Sequence, residues 1–276
     1  MKVAFWSNGR GRSCVTSNLA CVSVLSALNC PKERTIVFEN HKNIVNLGST
    51  LFHQTSDDGI REPATYQTGS GLGKVLRLIE QGEEISEENL YCFTEDYLGK
   101  RLFYLPSEPV KSSDYLEYYL ERDAIRTMDF LEKYSDTVMV DTSSAPLASS
   151  RKILQKADLV VVNLSQNLQV LSHFFRNYSS IQEKAFYLIG DYDNRSELTR
   201  GEIMRRFRIP GSRIGTIPHD SGFSDAVSDG KLIPFLMRHY SCCYGDERFP
   251  FMAAAKEAVD LFHAQLKMRE ERIVHG

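Results

Sequence analysis

The sequence predicts an α/β fold, a mainly parallel sheet with helices on both faces, and three features carry that prediction. Short β-branched runs alternate with longer helical patterns, as strands joined by crossover helices do. Several runs are apolar without interruption, such as Val138-Met139-Val140 and Leu159-Val160-Val161-Val162, which suits strands covered on both faces. A turn carrying two glycines separates the first such run from the first helical pattern.

In chain order, strands are expected over residues 2–7, 35–39, 102–105, 137–141, 159–163, 185–189 and 213–217. Helices are expected over 13–28, 73–81, 113–133, 149–156, 168–178, 199–207 and 251–273. Within 113–133 the apolar residues Leu116, Leu120, Ile125, Met128 and Leu131 follow the helical period. The 199–207 helix opens on Thr199-x-x-Glu202, a capping box. In the last helix Phe251, Ala255, Ala258, Val259, Phe262 and Leu266 share one face. Between Lys256 and Arg272 it balances four basic residues against four acidic ones. That balance suits packing on the core better than a membrane-surface helix, whose polar face is normally basic. The polar stretch 53–71, with Gly59, Pro63, Gly69 and Gly71, is expected as a long functional loop.

No linker, repeat or low-complexity tract divides the 276 residues, so one domain over 1–276 is expected. Hydrophobic residues make up 42% and charged residues 25%, enough for a sizeable core. The net charge of −3 argues against nucleic acid as the main partner. No run approaches the ~18 apolar residues that span a bilayer. The N-terminal apolar run stops at Ser7-Asn8-Gly9, so it reads as a strand and not a leader, and a cytoplasmic protein is expected.

Of the six cysteines, none makes a C-x-x-C pair or stands at zinc-finger spacing from a histidine. They are expected as reduced thiols, with Cys14 and Cys21 on one face of the first helix. The vicinal Cys242-Cys243 is the alternative candidate for a metal or redox site. His53, His173 and His219 form no ligand pattern. Arg205, Arg206, Arg208 and Arg213 are expected on a solvated face, and Tyr115, Tyr118 and Tyr119 in packing.

The segment with chemistry in it is Ser7-Asn8-Gly9-Arg10-Gly11-Arg12-Ser13-Cys14. Glycines at alternate positions allow a tight backbone path whose N–H groups converge on an anion. The helix that follows adds its own N-terminal donors and dipole. Gly9, Arg10, Gly11, Arg12, Ser13 and Cys14 are therefore candidate phosphate-binding residues.

This segment resembles the deviant Walker A motif of the MinD/ParA ATPases, Lys-Gly-Gly-x-Gly-Lys-Thr-Thr. Ser7 takes the place of the signature lysine, Asn8 and Gly9 stand for the paired glycines, and Gly11 matches the third. Arg12 replaces the phosphate-binding lysine and Ser13 matches the magnesium-binding hydroxyl. Ser17-Asn18-Leu19-Ala20 is similar to the family's x-Asn-Leu-Ala. Val138-Met139-Val140-Asp141-Thr142 looks like the Walker B strand, followed by a Ser/Pro-rich switch from Ser143 to Pro146. Lys156-Ala157-Asp158 and the strand after it resemble the next helix end and strand. Ile214-Gly215-Thr216-Ile217-Pro218 is similar to the family's strand and Ile-Pro turn.

The resemblance runs from residue 2 to about 236 and implies a P-loop NTPase fold with ATP and Mg²⁺ as cofactors. Ser13 would be the direct magnesium ligand and Asp141 would act through water. Pro218 would lie against the nucleotide. It further implies a homodimer mated across the phosphate-loop face and protein partners in a larger assembly. Several matched positions depart from the pattern. In the first switch Glu39, Asn40 and His41 stand where the family typically has Asp-x-Asp. His41 thus replaces the residue that orients the attacking water, and Thr142 opens the second switch. Gly190 stands where an asparagine often reads adenine. With both lysines gone, slow or absent hydrolysis is expected. Such altered motifs resemble the TadZ/CpaE branch, whose members position Tad-type pilus and secretion assemblies; an active partition or division-site ATPase and a nucleotide-free scaffold are the alternatives.

Overall fold

The computed structural model describes residues 1–9, 11, 13–51, 71–83, 86–107 and 113–275. Arg10, Arg12, His53, Gly59, Pro63 and Gly69 lie outside the described residues, and so does the side chain of Tyr115.

The chain opens with β1 (Lys2–Trp6), α1 (Val15–Asn29), β2 (Thr35–Glu39) and the short α2 (Leu47–Leu51). Next come α3 (Gly71–Gln81), α4 (Glu87–Cys92), β3 (Glu95–Tyr97), β4 (Leu102–Tyr104) and α5 (Ser113–Leu131). Then follow β5 (Thr137–Asp141), α6 (Ala148–Lys156), β6 (Leu159–Leu164), α7 (Leu168–Asn177), α8 (Ser179–Gln182) and β7 (Ala185–Tyr192). The chain closes with α9 (Arg200–Phe207), β8 (Ile214–Pro218), α10 (Ser221–Ser228), α11 (Leu232–His239) and α12 (Phe249–His275).

Among the described residues eight strands form one sheet in the order β3-β4-β2-β5-β1-β6-β7-β8. All neighbours are parallel except β3, which runs antiparallel to β4 at the edge. The sheet divides the core into two layers, because successive side chains of a strand face opposite ways. Ala4 and Trp6 of β1 join Phe38, Val140 and Val162 under α3, α5, α6 and α7. Val3 and Phe5 join Val37, Met139 and Val161 under α1, α11 and α12. Every residue of β1 is buried, as a central parallel strand requires. α1 is buried continuously from Asn18 to Ala27, so it runs through the second layer and has little solvated face.

The expected strands and long helices all form, with ends shifted by a few residues at most. The short elements were not anticipated. β3 is a polar Glu-Asp-Tyr edge strand whose partner is set by the sheet and not by its own pattern. α2, α4, α8, α10 and α11 are each eight residues or fewer, too short for a helical period to stand out.

Three expectations need correction. Leu116, Leu120, Met128 and Leu131 are buried as expected, but Ile125 is 38% exposed and the fully buried Ala124 takes its place on that face of α5. Cys14 is exposed at a left-handed position ahead of α1 and Cys21 is buried inside it, so the two share no face. Tyr118 is 61% exposed, with the Arg122 guanidinium 5.9 Å from its ring, so it does not serve core packing. The arginines of the 205–213 stretch are largely engaged: Arg205 and Arg206 pair with Glu202, and Arg213 donates to the Gln182 and Ala185 carbonyls. Thr199 caps α9 by accepting the Glu202 amide at 3.2 Å, as the capping box predicts. No helix among the described residues is long and apolar enough to cross a membrane.

α12 packs on β8 through small residues. A Cβ on Gly215 would lie 2.6 Å from the Ala258 Cβ and 2.9 Å from its Cα, closer than atoms can approach. Gly215→Val should therefore lift α12 off the sheet and destabilise the chain by about 1–3 kcal/mol in urea unfolding. Combining it with Ala258→Gly should recover part of that loss.

Candidate functional site

β1 ends at Trp6 between β5 and β6, so the turn that follows emerges from the middle of the sheet edge. In an open parallel sheet, ligands bind beyond the carboxyl ends of the strands where the connections diverge. Here β1 feeds β2 on one side while β5 crosses to β6 on the other.

The turn is held by its own hydroxyls. The buried Ser7 donates its Oγ to Ser13 Oγ at 2.7 Å and accepts the Gly9 amide at 3.0 Å. Ser13 Oγ reaches the Gly9 carbonyl at 3.3 Å. A Cβ on Gly9 would meet Ser13 Oγ and Val170 Cγ1, both at 3.2 Å, so the close approach needs a glycine. Gly11 takes φ +69°, with open space where a Cβ would stand. Its glycine is required by backbone conformation alone. Cys14 follows with φ 50° and leaves α1 without a side-chain cap, and no acidic residue stands in the first turn. The amides that begin α1 therefore keep their capacity for an anion.

Below the turn, Asn18 is 1% exposed. Its Nδ2 donates to Asn163 Oδ1 at 2.8 Å and to the Ser13 carbonyl at 3.4 Å, and Asn163 in turn donates to the Trp6 carbonyl. The two asparagines thus tie both ends of the turn to β6. They explain Gly190 as well: a Cβ there would lie 2.5 Å from Asn18 Nδ2. The residue opposite has to be a glycine so that Asn18 can reach Asn163.

The acids converge from neighbouring strands. Asp141 ends β5 in register with Phe5 of β1 and Glu39 of β2. It is 1% exposed, and its Oδ2 accepts Thr16 Oγ1 at 2.6 Å and stands 3.1 Å from His41 Nε2. Glu39, also 1% exposed, accepts the Leu47 amide and the Tyr104 hydroxyl. Burial, together with the charge of Asp141, pushes the Glu39 pKa up to about 7. Burial opposes a charge on His41, but Asp141 and Glu39 outweigh it and its pKa rises above the ordinary 6.5.

Asn40 joins the two switch segments. Its amide donates to the Asp141 carbonyl at 3.1 Å, its Oδ1 accepts the Ser143 amide at 2.6 Å, and its Nδ2 reaches Ser149 and Ser150. Ser150 closes the set by donating to the Ser143 carbonyl at 3.1 Å. Thr142 turns its hydroxyl back onto the Val140 carbonyl. Pro218 ends β8 beside Tyr192, and the His219 that follows pairs with Asp191 at 2.6 Å.

The structure therefore brings together Gly9, Gly11, Ser13 and Cys14 at the turn and Glu39, His41 and Asp141 at the adjoining strand ends, with Thr142 and Pro218 at the ends of β5 and β8. Arg10 and Arg12 lie outside the described residues. The sequence marks Asn18 and Asn40 only as matched positions, and it points neither to their bonding partners nor to Thr16 and Asn163 as contributors. Thr16 carried one signal, a hydroxyl one helical step beyond Ser13. No cluster of three His, Cys, Asp or Glu suited to a metal stands among the described residues.

The phosphate part of an ATP site fits this arrangement, since a glycine-shaped turn leads into an uncapped helix. The magnesium part fits less well. The hydroxyl of Ser13 is bonded within the turn, and one oxygen of Asp141, Oδ2, is taken by Thr16 and His41.

No protein-family model matches the chain, and no curated protein sequence is significantly similar to it. Its fold is nevertheless matched by solved structures. A ParA family ATPase from Chlorobium tepidum superposes with a TM-score of 0.68 at 13% identity, covering 93% of this chain and 97% of that one. The septum site-determining protein MinD of Pyrococcus horikoshii, complexed with Mg-ADP, gives 0.67 at 11% identity over 97% and 98%. A MinC:MinD cell division complex of Aquifex aeolicus gives 0.66 at 14% identity over 96% of each chain.

Because the folded Glu39 binds a proton more readily than the unfolded one, its contribution to stability is complete below pH 4.5. That contribution is lost as the pH rises through about 7. His41, also raised, acts in the same sense. Urea unfolding at pH 5, 6.5 and 8 should show stability falling with pH. Glu39→Gln, which keeps the acceptor for Leu47, should reduce that slope and be the more stable chain at pH 8 by on the order of 2–3 kcal/mol.

Proposed function

From the MinD/ParA-type P-loop fold that the chain shares with these structures, we propose that it is a nucleotide-binding switch protein that hydrolyses ATP slowly or not at all and positions a larger assembly. The observation that carries this reading is a division within the site. The backbone that would hold phosphate is intact at Gly9, Gly11 and the start of α1, while the side chains that would act on the γ-phosphate are altered. Ser7 carries no charge and spends its hydroxyl on Ser13. His41 brings a proton donor to Asp141 where a water-orienting carboxylate is expected.

Bound ATP would place its phosphates against the amides of the turn. Arg12 would supply a fixed positive charge, in a planar fork rather than the compact ammonium of a lysine. The chain's own contribution is then binding and orientation. Glu39, His41, Thr142 and the Ser143–Pro146 segment occupy the same sheet edge, and a homodimer mated across that edge would sense nucleotide through them. The assembly proposed is a Tad-type pilus or secretion machine, on the likeness of the altered motifs to the TadZ/CpaE branch. The clamp that Asn40 makes between the two switch segments supports a second reading, a scaffold that keeps this fold and responds to no nucleotide.

Thermal unfolding with and without ATP separates the readings. ATP at ~100 times its dissociation constant should stabilise the parent by roughly 2.7 kcal/mol. Gly11→Val should abolish that gain, because a β-branched residue resists the positive φ of the turn. A parent indifferent to ATP would favour the scaffold. In steady-state assays the parent should turn over well below ~1 s⁻¹. Ser7→Lys combined with Arg12→Lys should raise the rate, and a parent rate at or above that value would overturn the proposal of slow hydrolysis.

A further inference from the structure

Asp141 is the acid that this sheet edge offers to a divalent cation, and the chain itself already places two donors on one of its oxygens, Oδ2. Thr16 Oγ1 donates to Oδ2 at 2.6 Å, and His41 Nε2 stands on the same oxygen at 3.1 Å. Both side chains of the His41–Asp141 pair are nearly sealed, at 7% and 2% exposure. The Asn43 amide points at His41 Nδ1 from 3.4 Å, a contact that leaves the ring proton on Nε2. Nε2 carries a proton in the imidazolium too, so the donation to Asp141 holds in either protonation state.

The ring is also fixed in place. Asn40, its neighbour in the chain, is bonded to the Asp141 carbonyl, the Ser143 amide and the hydroxyls of Ser149 and Ser150. Magnesium demands a near-octahedral shell and gives up its waters reluctantly. A water bridging such a shell to Asp141 Oδ2 would have to displace a donor hydrogen that the strand end holds in position. The other expected ligand, Ser13 Oγ, accepts from Ser7 at 2.7 Å and contacts the Gly9 carbonyl at 3.3 Å. Meanwhile the turn sequence carries two guanidinium groups, Arg10 and Arg12, whose charge does not depend on a metal.

We infer that His41 takes the place of the divalent cation beside Asp141, so that this chain binds nucleotide phosphate without magnesium. The inference rests on the reading of the turn as a nucleotide site. It makes His41 a specificity-determining residue that sets which ionic form of the ligand is accepted, free nucleotide over its magnesium complex. His41→Ala removes one of the two donors on Asp141 Oδ2 and opens that side of the oxygen to a metal-bound water, with Thr16 still in place.

The test is isothermal titration of the full chain with ATP, once in excess EDTA and once in saturating Mg²⁺. The parent should bind ATP in EDTA at least as tightly as in Mg²⁺. His41→Ala should bind about tenfold or more tightly in Mg²⁺ than in EDTA. A parent whose affinity rises about tenfold when Mg²⁺ is supplied overturns the inference and leaves the nucleotide reading standing. A parent that binds ATP in neither condition overturns both. The comparison made on the parent decides the matter even if His41→Ala folds poorly, and His41→Asn, closer in size and polarity, serves as the second variant.

Discussion

The parallel register of three strands is the constraint on which the site depends. Phe5, Asp141 and Glu39 stand level across β1, β5 and β2, so the sheet delivers two acids to one edge beside the turn that follows β1. A shift of one residue in either pairing would turn an acid into the apolar layer on the opposite face. The buried β1 lies at the centre of the sheet and α1 covers it on one face, so the register is embedded in the core.

Two carboxylates buried at such an edge are unfavourable unless the surroundings compensate them. The chain compensates them in two different ways. Glu39 is pushed toward the neutral form by burial and by Asp141, and is tied to the Leu47 amide. Asp141 receives a hydroxyl and an imidazole on one oxygen. A metal-dependent site leaves part of that compensation to the cation and its waters. Here protein groups provide it, and Asn40, Ser143 and Ser150 bond the two switch segments to each other beside it. The same groups that stabilise the edge work against its use as a magnesium site.

The likeness to ParA and MinD structures at 11–14% identity is a likeness of fold. Glycines persist where the path demands them, at Gly9 for close approach and at Gly11 for its positive φ. Gly190 answers a different demand, the reach of Asn18 to Asn163.

The sequence by itself determined the layered α/β architecture, the central strand, the turn and the acid at the end of β5. These are local or periodic properties: continuous apolar runs, helical repeats, and glycines spaced for one backbone path. The 3.6-residue period misplaced one residue within α5, where Ala124 and not Ile125 faces the core, and it did not mark the eight-residue α10 and α11. Only the tertiary structure decided how the site is wired. That Thr16 and His41 meet on one oxygen of Asp141, 125 residues along the chain from Thr16, depends on strand order and register, which no local pattern encodes. That Ser7 bonds Ser13, and Asn18 reaches Asn163, depends on how the turn closes over β6. A residue's identity states which hydrogen bonds it can make, and the packed fold selects the partner.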